Sequence, residues 1–308
     1  MIESNWPLVP VALFYLVCAI VGVIGNGIMV VVFWKESKFK LPIYYLITLN
    51  CLADLFHVSG HFVFNYQLFA EETSSQATCY FMLFHTAIGF CISGPLLLAI
   101  GIDRLIACRF PISYRTLLSH GTLYLCAQLL FPISFTVVLM IYGYQLIDYN
   151  SQIVCMAPLA LPRKVFGYFT YASNAINVGI VVVYVYTYIV LRGYKERDLN
   201  RMQYVFKSIS LTVIIVLIGW CTVTVGNTVA IGLIENRKTS EIVSIHAGFG
   251  VNISCSINIF VFYAINSEYR SGIRRLFGMK ILSSDISKSD PSGTTKRMSL
   301  VAPATLQF

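Results

Sequence analysis

An acid and a base stand side by side in the stretch GIDRLIACRFPISYR, where a long apolar run ends. Asp103 directly precedes Arg104, and Pro111 follows seven residues after the arginine. A guanidinium keeps its proton at any physiological pH and needs an acid or a carbonyl oxygen as its partner. Asp103 can hold Arg104 at rest, so the elements around this pair decide what else binds the cation.

Three more groups capable of chemistry lie in an earlier apolar run, at Asp54, His57 and His61. A lone charge in the middle of a membrane costs about 2.5–3.5 kcal/mol, so Asp54 must face polar side chains. The two histidines share a helical face, but the Glu of H-E-x-x-H and a third ligand are missing, so we expect no metal site. We expect satisfied or pocket-lining histidines, with tuning of a response by pH as a side hypothesis.

The composition places these groups in a membrane. The 308 residues are 57% hydrophobic and 12% charged, with a mean hydropathy of +0.72 and a formal net charge of +8. Soluble domains average about 25% charged residues, and windows of about 20 apolar residues indicate spanning helices. Seven such windows predict an all-α membrane protein, a seven-transmembrane helix bundle. They fall near 8–34, 43–69, 80–105, 119–143, 164–191, 204–234 and 240–264.

The basic residues predict the orientation of the bundle. Eighteen of the 22 lysines and arginines lie in alternate connections and in the C-terminal segment. Such connections face the cytoplasm, so we expect a plasma-membrane, multi-pass protein with its N-terminus outside. The basic residues follow this topology and suit contact with anionic lipid of the bilayer, and no nucleic-acid partner is expected.

Four regions follow from these patterns. Residues 1–7 form a short extracellular N-terminus, and residues 8–264 form the seven-transmembrane domain. Residues 265–280 are expected to form an amphipathic helix on the membrane surface, since apolar and basic residues lie on different faces, with a frayed continuation of span seven as the alternative. Residues 281–308 form a disordered cytoplasmic tail, rich in Ser, Thr, Lys and Asp.

Two of the nine cysteines, Cys79 and Cys155, fall on the predicted outer side, where oxidation is permitted. We expect a disulfide between them that ties the loop before span five to the top of span three. The other seven cysteines are expected to be small buried apolar residues.

The joint pattern resembles the rhodopsin-like G-protein-coupled receptors. Twenty-four residues separate Cys79 from Asp103, "DRL" stands for the D-R-Y motif, and Pro111 matches the loop proline of the family. "GN" with Asn26, "LADL" with Asp54 and "NIFVFY" from Asn258 match motifs of helices one, two and seven. "GIDRLIACRFPISYR" and "NIFVFYAINSEYR" look more narrowly like nematode serpentine chemoreceptors of class SX.

The resemblance implies roles for these residues. Asp103, Arg104, Pro111, Asn258 and Tyr263 would form the switch that a heterotrimeric G protein reads, although an anchor that only fixes the helix end remains the alternative for the acid–base pair. A polar core, with a possible structural sodium ion near Asp54, would contain Asn26, Asp54, Ser93, Ser254 and Asn258. A hydrogen-bond network with no ion is the other interpretation of that core.

The ligand pocket would lie in the outer half of the bundle. Thr86 stands where amine receptors carry an aspartate, and Asn252 stands where light receptors carry the retinal lysine. The pocket is therefore expected to take a small, weakly polar odorant. Its candidate residues are Thr86, Phe90, Tyr171, Asn174, Asn177, Trp220 and Asn252.

The chain departs from the family pattern at its prolines. Ile259 replaces the proline of helix seven, Phe262 stands in the place of the family tyrosine, and Tyr263 comes one residue later. "GWCT" lacks the proline of span six, and span five has none. These losses put the usual helix bends in doubt and favour a divergent chemoreceptor.

The expected function is therefore a chemosensory receptor without enzymatic activity, whose ligand is a small molecule or a peptide, with a sensory cilium as a candidate location. Tail serines and threonines are candidate sites for a receptor kinase and for recruitment of arrestin. The alternatives are a divergent receptor for a peptide or a neuromodulator, a receptor that has lost coupling, and a membrane transporter, which the missing internal repeat weakens.

Overall fold

The computed structural model describes residues 8–37, 39–192, 214–215, 217–230 and 232–279. Residues 1–7, the segment 193–213 and the tail from residue 280 onward, with the predictions made for them, lie outside the described residues. The long helices are α1 (Val9–Lys35), α2 (Pro42–Ala70), α4 (Phe84–Arg109), α6 (Gly121–Gln145) and α8 (Arg163–Arg192). The shorter ones are α3 (Gln76–Met82), α5 (Pro111–Ser119), α7 (Ala157–Ala160), α9 (Leu217–Ala230), α10 (Arg237–Ala247), α11 (Phe249–Ser256), α12 (Asn258–Ile265) and α13 (Ser267–Leu276).

The five long helices are each apolar and long enough to cross a membrane. The segments Ile242–Ser256 and Asn258–Ile265 together form a further candidate span, and α9 is a shorter apolar helix within the predicted sixth window. The five long helices and the seventh span begin and end within a few residues of the predicted windows, with one difference, whereas much of the sixth window lies outside the described residues. The predicted third span divides at Leu83 into the short helix α3 and the long helix α4.

Glycines allow neighbouring spans to approach backbone to backbone. A Cβ on Gly89 of α4 would come within 2.5 Å of the Ala53 carbonyl oxygen and 2.7 Å of the His57 nitrogen in α2. A Cβ on Gly219 of α9 would come within 2.6 Å of the Gly250 carbonyl oxygen in α11. Real Cβ atoms do not approach backbone this closely, so these two helix pairs depend on glycine.

The seventh span bends although it contains no proline. Its two halves meet at Ile257 at an angle of 42°. Ser256 Oγ lies 2.6 Å from the Asn252 carbonyl oxygen, one turn earlier, and 2.8 Å from the Cys18 carbonyl oxygen of α1. A serine that bonds to the preceding turn favours a helix bend. The Ser256 hydroxyl therefore contributes to a bend that proline produces in other helices. The doubt about this bend was therefore unfounded for span seven.

The two ends of the bundle differ in structure. At one end, which we call the Cys79 end, the strands β1 (Ser74–Ser75) and β2 (Gln152–Ile153) pair antiparallel above the helices. At the other, the Arg104 end, α5 connects α4 to α6, and α13 follows the seventh span. The amphipathic helix predicted for residues 265–280 corresponds to α13. Asn266 caps its first turn by accepting from the backbone N–H groups of Glu268 and Tyr269.

The helix α13 packs its apolar face on the bundle. Tyr269 and Ile273 are buried against it, whereas Phe277 at the end of the helix is 57% exposed. Arg275 donates two hydrogen bonds to Glu36, at 2.7 and 2.6 Å, and so connects α13 to the end of α1. The packing fixes the position of this helix relative to the first and seventh spans.

Candidate functional site

A cavity opens at the Cys79 end between α1, α2, α4, α8, α9 and the seventh span. Its wall encloses about 590 Å³ of space, part of which is open to the outside. Aromatic and aliphatic side chains make up most of its wall. The lining residues are Tyr15, His57, His61, Phe64, Phe90, Met156, Ala157, Pro158, Phe166, Phe169, Trp220, Val223, Asn227, Ser244, Ile245, Gly248, Val251 and Asn252.

Three of the predicted pocket residues line this cavity. Phe90 packs edge-on against Phe169, with ring centroids 5.0 Å apart. Trp220 is 3% exposed and packs edge-on against the His57 ring, with centroids 5.8 Å apart. Asn252 donates to the Gly248 carbonyl oxygen at 2.9 Å, and its Oδ1 is hydrogen-bonded to His61 Nε2.

The other four predicted pocket residues do not line the cavity. Thr86 is buried against Gly60 in α2, because the close approach of α2 and α4 turns it into that contact. Tyr171 is 52% exposed on the outer surface of α8. Asn174 and Asn177 point to α9 instead, where they donate to Thr228 Oγ1 at 2.8 Å and to Thr224 Oγ1 at 3.2 Å.

Several cavity residues were not among the predicted contacts. His57 and His61 line the pocket, which is one of the two roles expected for them. Phe166 and Phe169 lie on the face of α8 opposite Tyr171, and Asn227 follows Trp220 by seven residues on one face of α9. Polar or aromatic residues spaced by three, four or seven positions share one face of a helix. That spacing is the signal in the sequence that could have identified these cavity residues. Among the described residues, no three His, Cys, Asp or Glu side chains are grouped to hold a metal ion.

A closed hydrogen-bond network surrounds the acid–base pair at the other end of the bundle. We call Asp103, Arg104, Tyr114 and Tyr124 the Arg104 network. The guanidinium of Arg104 forms a salt bridge to Asp103 Oδ2, with its Nε at 2.9 Å. Tyr114 and Tyr124 donate to Asp103 Oδ1 at 3.2 and 3.1 Å. Arg104 in turn donates to the Tyr114 hydroxyl at 3.1 Å.

The network closes because α5 brings Tyr114 back over the end of α4. Pro111 occupies the first turn of α5, where its missing N–H leaves no hydrogen bond unmade. Burial and the neighbouring Asp103 carboxylate raise the pKa of Tyr114 above its ordinary value, although the Arg104 cation acts in the opposite direction. Tyr114 therefore keeps its proton and donates to Asp103, which is fully buried. Neither tyrosine was identified from the sequence.

A second polar cluster lies around Asp54 in the middle of the bundle. Asp54 Oδ2 accepts from Asn258 at 2.7 Å and from Asn50 at 3.1 Å. Its Oδ1 accepts from Ser93 at 3.2 Å and from the Cys255 thiol at 3.4 Å. Each carboxylate oxygen therefore has two donors, and the cluster connects spans two, three and seven.

The composition of this cluster differs in part from the prediction. Asn26 is present and accepts from Asn258 at 3.0 Å. Ser254 instead donates to the Val251 carbonyl oxygen at 2.9 Å and lies beside Gly219 in α9, while its neighbour Cys255 bonds to Asp54. Because four donors already satisfy the carboxylate, this arrangement does not fit a sodium ion without displacing one of them. The ion-free network is therefore the interpretation that we carry forward as a prediction.

Tyr263 does not face the Arg104 network. Its hydroxyl accepts from Arg274 Nε of α13 at 3.1 Å, and its carbonyl oxygen accepts from Arg270 at 3.1 Å. Phe262, which stands in the place of the family tyrosine, is the residue buried in the core. Neighbouring positions of a helix point in different directions. Because the tyrosine comes one residue later than in the family, Phe262 faces the core and Tyr263 faces α13.

Cys79 and Cys155 lie together under the paired strands of the Cys79 end. Both are fully buried, and both are free thiols whose side chains interact with each other. The Cys155 backbone N–H donates to Gln67 Oε1 at 2.7 Å, and Gln67 donates to Ser74 Oγ at 2.7 Å. This arrangement places the loop that contains Met156 and Ala157 over the cavity.

Comparison with known proteins agrees with this architecture. A 119-residue segment is 32% identical to olfactory receptor 51I1 of Homo sapiens, covering 36% of this chain and 36% of that receptor. A 131-residue segment is 27% identical to olfactory receptor 5H15 of Homo sapiens, covering 42% of this chain and 40% of that receptor. The matches thus span about two fifths of the curated relatives.

A family match covers far more of the chain. Residues 19–277 match the sequence model of the serpentine type seven-transmembrane G-protein-coupled chemoreceptor family Srsx. That stretch contains the cavity residues from His57 onward, the Asp54 cluster and the whole Arg104 network. It is a family of receptors, not of enzymes. The chain therefore belongs to the Srsx family of serpentine G-protein-coupled chemoreceptors.

Proposed function

We propose that this protein binds a small, uncharged molecule in the cavity at the Cys79 end and signals to a heterotrimeric G protein at the Arg104 end. One observation carries the proposal: a single helix, α4, contributes Phe90 to the cavity and Arg104 to the network. Fourteen residues separate the two, about 21 Å along the helix. A ligand that moves α4 relative to its neighbours therefore acts on both ends.

The chemistry of the Arg104 end supports a two-state switch. In the described state, Arg104 is bound to Asp103 and to the Tyr114 hydroxyl. A G protein that offers carbonyl or carboxylate partners to the guanidinium competes with these bonds, and it selects the state in which Arg104 is released. Ligand and G protein then favour the same state from opposite ends of the bundle.

The proposal fixes the orientation and location of the chain. The Cys79 end faces the outside of the plasma membrane, and the Arg104 end faces the cytoplasm, as the basic residues favour. A sensory cilium is the proposed site for a chemosensory role. The tail, with the phosphorylation sites expected to recruit arrestin, lies beyond the described residues and remains a prediction.

We also propose that Cys79 and Cys155 form a disulfide in the mature receptor. Support comes from their burial side by side at the end assigned to the oxidising exterior. Alkylation of the purified protein without reductant, followed by peptide mass spectrometry, should find the two residues joined. Recovery of both as alkylated thiols would contradict the bridge.

A screen in transfected cells tests the function. Wild type and Arg104→Ala receptors, each with an epitope tag, are exposed to mixtures of small uncharged volatiles while calcium and cyclic nucleotides are recorded. We expect wild type to respond to at least one mixture and Arg104→Ala to lose that response at equal surface expression. Arg163→Ala, at the Cys79 end, is the matched control and should respond. A response by Arg104→Ala equal to wild type would contradict the proposal.

A further inference from the structure

Three buried polar groups on the cavity wall lack a hydrogen-bond partner among the described residues. They are His57 Nδ1, Trp220 Nε1 and Asn227 Oδ1. Their side chains are 5%, 3% and 1% exposed, so bulk water does not reach them freely. A buried polar group without a partner costs about 1–3 kcal/mol, and native proteins leave few of them. Three in one cavity indicate a site built to hydrogen-bond something placed inside it.

The chemistry of the unpartnered groups restricts the ligand. The indole Nε1 of Trp220 is a donor only, so it requires an acceptor atom. The His57 ring lies edge-on to Trp220, with centroids 5.8 Å apart, and its Nδ1 donates or accepts according to the tautomer. One ligand oxygen within reach of both nitrogens would satisfy both groups. A hydroxyl oxygen suits either tautomer of His57, and a carbonyl oxygen suits the tautomer that donates.

The remainder of the wall excludes charged ligands. Phe90, Phe166 and Phe169 surround the Trp220 end of the cavity with aromatic rings, and the described wall has no acidic, lysine or arginine side chain. His61, the second histidine, is already bonded to Asn252. An ammonium or a carboxylate would enter this wall without a counter-ion, which is strongly unfavourable.

Asn227 provides a second polar position. It follows Trp220 by two turns on one face of α9, about 10 Å along the helix. Its Oδ1 lacks a partner and would accept from a ligand hydroxyl there. The cavity therefore has an inner polar position at His57 and Trp220, an apolar middle, and an outer polar position at Asn227.

We propose that the cavity recognises uncharged oxygenated molecules with an apolar body, whose carbonyl or hydroxyl oxygen bonds to Trp220 and His57, with a second hydroxyl at Asn227 adding affinity. This rests on the proposed function for the location of the ligand site. It goes further by naming the ligand class and the groups that select it.

Binding to purified receptor in lipid nanodiscs tests this without any signalling step. The probes are unbranched compounds of about six to ten carbon atoms, supplied as hydrocarbon, ketone, primary alcohol, terminal diol, carboxylate and primary amine. Thermal stabilisation of the receptor as a function of probe concentration gives each affinity. Alcohols or ketones should stabilise the receptor, diols of suitable length should do so more, and the matched hydrocarbons and charged compounds should do so less.

Conservative variants test which protein atoms form hydrogen bonds to the ligand. Trp220→Phe removes the N–H and keeps an aromatic ring, and it should weaken the ketone about three- to tenfold while leaving the hydrocarbon unchanged. Asn227→Leu should remove the advantage of the diol over the alcohol. Trp34→Phe is the matched control, because Trp34 is 77% exposed on α1 away from the cavity, and it should bind as wild type does.

The outcomes separate this inference from the proposed function. Selective binding of oxygenated probes that is lost in Trp220→Phe supports the inference even if cells show no G-protein response. Equal stabilisation by hydrocarbons and oxygenated probes, no stabilisation by any probe, or unchanged ketone affinity in Trp220→Phe would overturn it, even in a receptor that signals.

Discussion

At the scale of single residues, the Tyr114 hydroxyl is the group that closes the Arg104 network. It donates to Asp103 and accepts from Arg104, so it holds both members of the pair in their bonded positions. Removing one such hydroxyl costs the bonded state about 1 kcal/mol, which is roughly a fivefold shift in a two-state equilibrium.

Tyr114→Phe should therefore raise basal G-protein signalling several-fold at equal surface expression. Basal cyclic-nucleotide or calcium output in cells without added ligand measures this. Tyr149→Phe, at an exposed loop of the Cys79 end, is the matched control and should leave the output unchanged. Unchanged output from Tyr114→Phe would mean that the hydroxyl does not restrain Arg104.

Asp54 gives a second prediction at this scale. Since four donors already satisfy its carboxylate, replacing sodium by choline at constant ionic strength should leave the Tm of the purified receptor unchanged. Asp54→Asn should lower the Tm, because the amide N–H groups that replace one carboxylate oxygen then face two of the four donors, at a cost of about 1–3 kcal/mol. Asp148→Asn, at an exposed loop position, should have little effect. A sodium-dependent Tm that Asp54→Asn abolishes would establish an ion at this cluster.

The positions of pocket residues show what the sequence determines at this scale. Helical spacing alone places five residues on one inward face of α4, and all five side chains are buried: Thr86, Phe90, Ser93, Leu97 and Ile100. Spacing does not give the rotation of one helix against another. That rotation turns Thr86 onto Gly60 rather than into the cavity, and it leaves Tyr171 on the outer surface.

At the scale of elements, the seventh span shows how a bend forms without its usual residue. The helix restarts at Asn258, so Ile259 lies in the first turn of α12, where its N–H has no carbonyl of the same helix to bond. Val261, two residues later, already donates to the Ile257 carbonyl oxygen at 3.1 Å. The sequence indicated a missing proline. It did not show that Ser256 and an interruption of the helix at Ile257 produce the bend in its place.

Ile259→Pro should consequently be tolerated. We expect its surface expression to approach that of wild type, with a moderate loss from the removed contact between Ile259 and Gly25. Val261→Pro removes a helix hydrogen bond and should cost about 3 kcal/mol or more, with a large loss of expression. Flow cytometry of tagged receptors compares the two. Equal losses in both variants would show that α11 and α12 form one continuous helix in the membrane.

At the scale of the whole molecule, apolar windows and basic loops predicted the helices and their order, because a span must be long, apolar and flanked by asymmetric charge. The cavity depends on contacts between helices far apart in sequence, and the Arg104 network depends on how the consecutive helices α4, α5 and α6 fold against one another. Tyr124 lies 21 residues beyond Asp103 and reaches it only because α5 reverses the chain. Such contacts have no local signal in one sequence.

The predicted orientation can be tested with a new glycosylation site. Gln152→Thr, in the exposed strand β2 of the Cys79 end, places a threonine two residues after Asn150 and so completes a sequon there. A glycosidase-sensitive increase in mass is expected, because only the outer side is glycosylated. Leu117→Asn, in α5 at the Arg104 end, places an asparagine two residues before Ser119 and should remain unmodified. The reverse pattern would invert the orientation.

The most direct measurement is nucleotide exchange on a purified heterotrimeric G protein, catalysed by receptor in lipid nanodiscs without ligand. Asp103→Asn removes the charge that holds Arg104, so it should accelerate exchange above wild type. The double variant Asp103→Asn with Arg104→Ala should lose that acceleration entirely, since the guanidinium is then absent. Acceleration that persists in the double variant would contradict the central claim that Arg104, held by Asp103 and Tyr114 at rest, is the group the G protein captures.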